Sequence, residues 1–165
     1  MKIYKERWTG DEICSDAFEV EMHNSALMRA TGRIIEENDG EIDIGANPGE
    51  GEAEWKSDAT YVNSIIKSFN LEKTEMTKQQ FLGTVKKYLG KIKAYLTENQ
   101  PDRVETFMKD STEAIKFLVA KYNDCDVYVG ESMDPESMPI ICEYSDDGKS
   151  TYFYYLFDGL NEIKM

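Results

Sequence analysis

Between Thr77 and Tyr122 the apolar residues recur at the spacing of a helix, whereas before and after this stretch they alternate with polar residues or cluster in short runs. Phe81, Val85, Tyr88, Leu89, Ile92, Tyr95 and Leu96 fall on one helix face, and Val104, Phe107, Met108, Ile115, Leu118, Val119 and Tyr122 repeat the pattern. Asn99-Gln100-Pro101-Asp102 separates the two runs. Proline suits the first turn of a helix, where its missing N–H is no loss, and it turns the preceding residue away from helical geometry. The pattern predicts an antiparallel helical hairpin over 77–122. Thr77 and Gln80 have the spacing of a capping box, with Met76 and Phe81 placed as a hydrophobic staple. Gly83 and Gly90 weaken the first helix by about 1 kcal/mol each relative to alanine, without breaking its pattern.

The remaining segments read as strand, turn and loop. Lys2 to Lys5 predicts a short edge strand, followed by a polar loop at Thr9 to Glu12. Phe18, Val20 and Met22 alternate with Glu19, Glu21 and His23, as in a half-buried strand. Leu27–Ala30 and Arg33–Ile35 flank Gly32, which fits either a hairpin or one long strand with a bulge. Tyr61-Val62, Ile65-Ile66, Phe69 and Leu71 predict a strand leading into the hairpin. Asp126 to Val129, Pro139 to Tyr144 and Thr151 to Phe157 are further β-rich runs, with a turn at Ser145-Asp146-Asp147-Gly148 and closure at Asp158-Gly159. This order predicts an α+β fold, with the helices inserted into a mostly antiparallel sheet.

Composition changes the picture in one place. From Glu36 to Asp58 the acids Glu36, Glu37, Asp39, Glu41, Asp43, Glu50, Glu52, Glu54 and Asp58 face a single base, Lys56, among four glycines. Such a segment buries too little apolar surface to offset its ordering entropy, and it predicts a long flexible loop. Its acids are oxygen donors of the kind calcium prefers, although their spacing is not that of an EF-hand. The whole chain has 165 residues and a formal charge of -13. That length suits one domain, 1–165, and that charge disfavours general nucleic-acid binding. No apolar run is long enough to span a bilayer and the N-terminus lacks the pattern of a signal peptide, so a cytosolic protein without membrane insertion is expected. Against this acidic background the first helix carries Lys78, Lys86, Lys87, Lys91 and Lys93, with no acid between Lys78 and Leu96. Two readings are open: a salt-sensitive patch for an acidic partner, or a solvated face balanced by the acidic loop.

Catalytic signatures are sparse. His23 is the one histidine, and no nucleophile motif accompanies it. The glycines at 45–51 lack the Gly-Lys-Ser/Thr ending of a phosphate-binding loop. Cys14, Cys125 and Cys142 form no C-x-x-C pair. They read as reduced thiols, and a zinc site with His23 as fourth ligand is not expected. The residues therefore point to no enzyme.

Ile44-Gly45-Ala46-Asn47-Pro48 with Glu50, and Val127-Tyr128-Val129-Gly130-Glu131-Ser132-Met133-Asp134-Pro135 with Tyr144, resemble the two signatures of the translationally controlled tumour protein family. Asp11-Glu12 with Ser15-Asp16, Gln100-Pro101-Asp102-Arg103-Val104 with Phe107-Met108, and Asp158-Gly159-Leu160 extend the resemblance over the whole chain. Two positions depart from it: Gly49 stands where the family usually has serine, and Pro139 where it usually has an aliphatic residue. The resemblance implies a zinc-free, twisted β-structure of the Mss4-like, tent-shaped type, with a projecting helical pair and a flexible acidic loop. It further implies a non-enzymatic cytosolic protein of growth regulation that requires no cofactor. Weak calcium binding would involve Asn47 and Glu50. The implied partners are tubulin and microtubules, translation elongation factors and a small Rheb-like GTPase. Carried over by position, Glu12, with Asp11 as a weaker companion, would contact the GTPase, and the five lysines of the first helix would contact tubulin and other partners. An alternative reading makes the chain a regulator of nucleotide exchange on that GTPase through the Glu12 loop.

Overall fold

A computed structural model describes residues 1–37 and 60–164. In chain order it contains β1 (Lys2–Glu6), β2 (Glu12–Ser15), β3 (Glu19–Asn24), β4 (Leu27–Glu37), β5 (Thr60–Asn63), α1 (Ser64–Phe69), β6 (Glu72–Thr74), α2 (Lys78–Asn99), α3 (Val104–Lys121), β7 (Cys125–Val129), β8 (Ile140–Tyr144), β9 (Ser150–Leu156) and β10 (Leu160–Lys164). The strands form a three-stranded sheet in the order β10-β1-β2 and a larger sheet in the order β3-β4-β9-β8-β7-β6, with β5 paired to β4. Every pairing is antiparallel. The fold is thus α+β, with a helical hairpin lodged against antiparallel sheet.

The hairpin forms where the apolar pattern predicts it. Phe81, Val85, Tyr88, Ile92 and Leu96 of α2 are buried, and so are Phe107, Ala114 and Leu118 of α3. They pack against Leu27, Met28, Ile140, Ile141, Phe153 and Tyr155 of the sheet in one apolar cluster. Burying a side chain of this size contributes roughly 1.5–3 kcal/mol, and this packing makes the helices stable in place. At the start of α2 the Thr77 side chain accepts from the Gln80 N–H at 3.1 Å, and the Gln80 side chain accepts from the Thr77 N–H at 2.9 Å. Pro101 opens a single 3-10 turn, Pro101–Arg103, which reverses the chain into α3.

That turn places Arg103 against the far end of the sequence. Its guanidinium donates to both carboxylate oxygens of Asp158, at 3.0 and 2.8 Å, and to the hydroxyl and carbonyl of Ser25, at 2.9 and 2.6 Å. Asp158 is almost fully buried. The planar fork of arginine matches a carboxylate in this two-bonded manner, and the pairing offsets the cost of removing both charges from water.

Several sequence expectations are corrected. The segment after β5 is helix at Ser64–Phe69, because Asn63 caps it by accepting from the N–H groups of Ile65 and Ile66. The apolar residues there fit a short helix as well as a strand. Leu27 to Glu37 is one continuous strand, with unbroken register against β9 from Leu27 to Arg33. Gly32 therefore marks a close approach: a Cβ there would lie 3.0 Å from both Asn63 Oδ1 and Thr151 Oγ1. β1 is a central strand between β2 and β10, not an edge. The Asp158-Gly159 turn does not close the last strand, since β10 follows it. Pro139 directly precedes β8, where its missing N–H interrupts no ladder. β4 reaches Glu37, paired with Thr60, so the acidic segment begins inside a strand. Most of that segment lies outside the described residues.

The core predicts a direction of pH sensitivity. Burial raises the pKa values of Tyr88, Tyr154 and Tyr155 above the ordinary 10.0. It pushes the Cys14 and Cys142 thiols from 9.0 up to about 12. The folded state thus holds these protons more firmly than the unfolded state. Their stabilisation is complete below the unfolded values and is lost as pH rises through the folded ones. Thermal unfolding should give a flat Tm between about pH 6 and 9 and a falling one from there toward pH 12.

Candidate functional site

The loop that follows β1 is shaped by a buried acid. Glu6, the last residue of β1, is buried, and its Oε1 accepts from the backbone N–H groups of Trp8 and Thr9 at 3.0 and 2.8 Å. Its Oε2 accepts from the Tyr88 hydroxyl of α2. The loop turns back at Gly10, whose φ of +79° is a conformation glycine adopts freely, and the Glu6 N–H donates to the Asp11 carbonyl at 2.8 Å. Arg7 fastens the other side, donating to the carbonyls of Asp158 and Leu160 while lying 4.1 Å over the Tyr95 ring. Trp8 stands edge-on to Tyr88 and Tyr95, and the Lys91 ammonium sits 4.6 Å over its ring. Trp8 nevertheless remains 40% exposed, a large aromatic surface held at a fixed position.

Asp11 joins this loop to the second signature. Its Oδ2 accepts from the Ser132 backbone N–H at 3.1 Å and from the Ser132 hydroxyl at 2.7 Å. The carboxylate lies so close to Gly130 that a Cβ there would come within 2.5 Å of Oδ2, which accounts for glycine at this position. Beyond Ser132 the chain continues as an exposed loop through Glu136. Met133 takes a left-handed φ of +56°, and the Lys91 ammonium donates to the Glu136 carbonyl at 3.2 Å. Two loops more than a hundred residues apart in sequence thereby form one surface on α2.

Glu12 begins β2 on this surface, in register with Lys5, and is exposed. Among the described residues no ion pair or hydrogen bond engages its side chain. The two acids singled out from the sequence are therefore divided: Asp11 is occupied in the clasp and Glu12 faces solvent.

The lysines of α2 also divide. Lys86 and Lys93 are exposed, seven residues apart on one stripe, and Lys78 is exposed at the first turn. Lys87 and Lys91 lie on another stripe and line a groove of about 650 Å³ between α2 and residues 133–139. Met76, Val129, Met133 and Pro139 supply the groove's apolar lining. Lys91 is half-buried and occupied by Trp8 and Glu136, so it belongs to the architecture of the loops. Asn47 and Glu50, the candidate calcium ligands, lie outside the described residues.

Cys14 and Cys142 are buried, Cys125 is half-buried, and burial pushes the Cys125 thiol up to about 11. His23 lies exposed on β3 with its ring centroid 4.1 Å from that of Phe117. Among the described residues no cluster of histidine, cysteine or acidic side chains could hold a metal ion, and no helix is long and apolar enough to cross a membrane.

The contacts of Trp8, Tyr88, Ser132 and Lys91 were not readable from the sequence. The last three lay inside segments already singled out, but their pairing depends on tertiary approach.

Fold and surface together define a domain in which a helical hairpin and two clasped loops present acids, an aromatic and lysines to solvent. The family model described as translationally controlled tumour protein matches residues 1–161. Translationally controlled tumour protein homologues of Candida albicans and Yarrowia lipolytica are each 38% identical to this chain, with full coverage of both sequences. The solved structure of the tumour-associated protein p23fyp from Schizosaccharomyces pombe matches the whole chain with a TM-score of 0.81 at 34% identity, covering 100% of both chains. The Caenorhabditis elegans structure matches with a TM-score of 0.71 at 19% identity, covering 100% of this chain and 99% of that one, and supports the fold alone. The chain belongs to the translationally controlled tumour protein family.

The clasp can be tested by Asp11→Ala. Removing the acceptor costs about 1–2 kcal/mol and frees the Ser132 N–H. Hydrogen exchange followed by NMR should show that amide exchanging about tenfold or more faster.

Proposed function

We propose that the chain is a non-enzymatic, cytosolic regulatory protein that acts by binding other proteins at the surface formed by the Glu12 loop and the hairpin. The observation that carries this reading is Glu12 itself. It is an exposed carboxylate, without a partner among the described residues, at the start of β2 beside a loop fixed from behind by Glu6, Arg7 and Asp11. A charge held in place without an internal partner is suited to pair with a basic group on another protein at small entropic cost. The resemblance supplies a small Rheb-like GTPase as that partner. Binding is favoured over nucleotide exchange, because one carboxylate offers no means of expelling a nucleotide.

The exposed stripe of Lys78, Lys86 and Lys93 supports a second contact, with acidic surfaces such as microtubules, and elongation factors stand as further partners on the same grounds. Calcium binding through Asn47 and Glu50 remains part of the proposal as a weak accessory property.

Glu12→Lys should weaken GTPase binding at least tenfold at low salt, measured by calorimetry, with Tm unchanged. Lys86→Glu with Lys93→Glu should leave that affinity intact and reduce microtubule co-sedimentation. Parental GTPase affinity in Glu12→Lys would overturn the Glu12 assignment, and parental co-sedimentation in the lysine variant would overturn the hairpin assignment.

A further inference from the structure

The clasp between the two loops depends on a proton. Asp11 Oδ2 accepts twice from Ser132, once from the backbone N–H and once from the side-chain hydroxyl at 2.7 Å. The hydroxyl is exposed, in the run of exposed residues from Glu131 to Met133 and on to Glu136. Acids flank it: Glu131 precedes it, Asp134 and Glu136 follow, and Asp11 faces it from the other loop. On the Asp11 side the backbone leaves no slack, since the carboxylate is seated against Gly130.

From this arrangement we propose that Ser132 is a phosphorylation site for an acid-directed protein serine kinase, and that its modification opens the Asp11–Ser132 clasp. In the step, Ser132 Oγ forms a bond to the γ-phosphorus of a nucleoside triphosphate, and the bond from that phosphorus to the bridging oxygen breaks. The hydroxyl proton passes to the kinase's base and the nucleoside diphosphate leaves. The product carries a charge of about -1.5 to -2 at pH 7 and presents acceptor oxygens where the hydroxyl presented a donor. One of the two hydrogen bonds to Asp11 is thereby abolished. The other is opposed by repulsion between phosphate and carboxylate, which the surrounding acids strengthen. Gly130 blocks Asp11 from moving toward the chain, so the 130–136 segment swings outward.

The consequence for partners rests on the function proposed above. Glu12 adjoins Asp11, and release of the clasp removes the restraint that Ser132 places on this end of the loop, while the pairing of Glu12 with Lys5 remains. Modification would then lower affinity for a partner that reads Glu12 through lost positioning, an effect that must exceed the attraction of the added negative charge for a basic partner surface.

The experiment uses the full chain carrying phosphoserine at position 132 by genetic encoding, beside the unmodified chain and Ser132→Ala. In two-dimensional amide NMR the modified chain should show displaced signals for Thr9 to Glu12 as well as Gly130 to Met133. Its Ser132 amide should exchange about tenfold or more faster. Ser132→Ala keeps the backbone bond and should shift these signals less. Signals for Thr9 to Glu12 that match those of the unmodified chain would overturn the clasp mechanism. In parallel, the folded chain and the free 126–140 peptide are incubated with a casein-kinase-type enzyme and ATP, and phosphate is mapped by mass spectrometry. Phosphate on Ser132 of the folded chain supports the site, and phosphate on the peptide alone or on neither overturns it. An opened clasp with unchanged GTPase affinity would uphold the modification mechanism and count against the Glu12 surface, so the two readings fail separately.

Discussion

The acid at the end of β1 is the interaction on which the functional surface depends. Glu6 is buried, and a carboxylate removed from water is tolerated only where donors replace the lost solvent. Three do so: two backbone N–H groups of the following loop and the hydroxyl of Tyr88. The same three bonds fold the loop, fix it to α2 and bring the small sheet against the hairpin. Tyr88 fits its place closely, for a Cβ on Gly159 would lie 2.5 Å from the Tyr88 hydroxyl. Neither partner can be removed without leaving a buried polar group unmet.

Arg103 does the corresponding work at the reversal of the hairpin. It joins the reversal between α2 and α3 to Asp158 and to the turn between β3 and β4, where the Ser25 N–H also donates to the Asp110 carboxylate at 3.1 Å. The Ser25 hydrogen bonds hold the Asp110 carboxyl below the usual carboxylate range. The hairpin is thus fastened at the middle of α2 and at its reversal by charged hydrogen bonds and along its length by apolar packing. Among the described residues no hydrogen bond or ion pair engages the side chains of its outer lysines, Lys78, Lys86 and Lys93.

Periodicity carried much of this fold in the sequence. α2 and α3 were legible because fourteen apolar residues keep helical spacing over two long runs, and because Thr77 and Gln80 mark a start with a physical signature. Short elements were not. Ser64–Phe69 holds apolar residues compatible with either helix or strand, and the cap at Asn63 that decides the matter is a single residue. The central position of β1 was hidden because pairing with β10 joins opposite ends of the chain. The candidate surface was half legible. Glu12 and the lysines were named, but the sequence could not separate Lys91, folded over Trp8, from Lys86 and Lys93 in solvent, nor show that Asp11 meets Ser132. Those distinctions are made by tertiary contact, which local pattern does not encode.

The surface works, on this account, because rigid anchoring behind it leaves Glu12 and Trp8 exposed at defined positions. Its central claim is that Glu6 and Tyr88 act as a pair in holding the loop to the hairpin. A double-mutant cycle of Glu6→Gln and Tyr88→Phe, with stability read by urea unfolding, measures this pairing directly. A coupling energy of about 1.5 kcal/mol or more is the predicted result, in keeping with a buried hydrogen bond to a charged group. Additive effects of the two substitutions would contradict it.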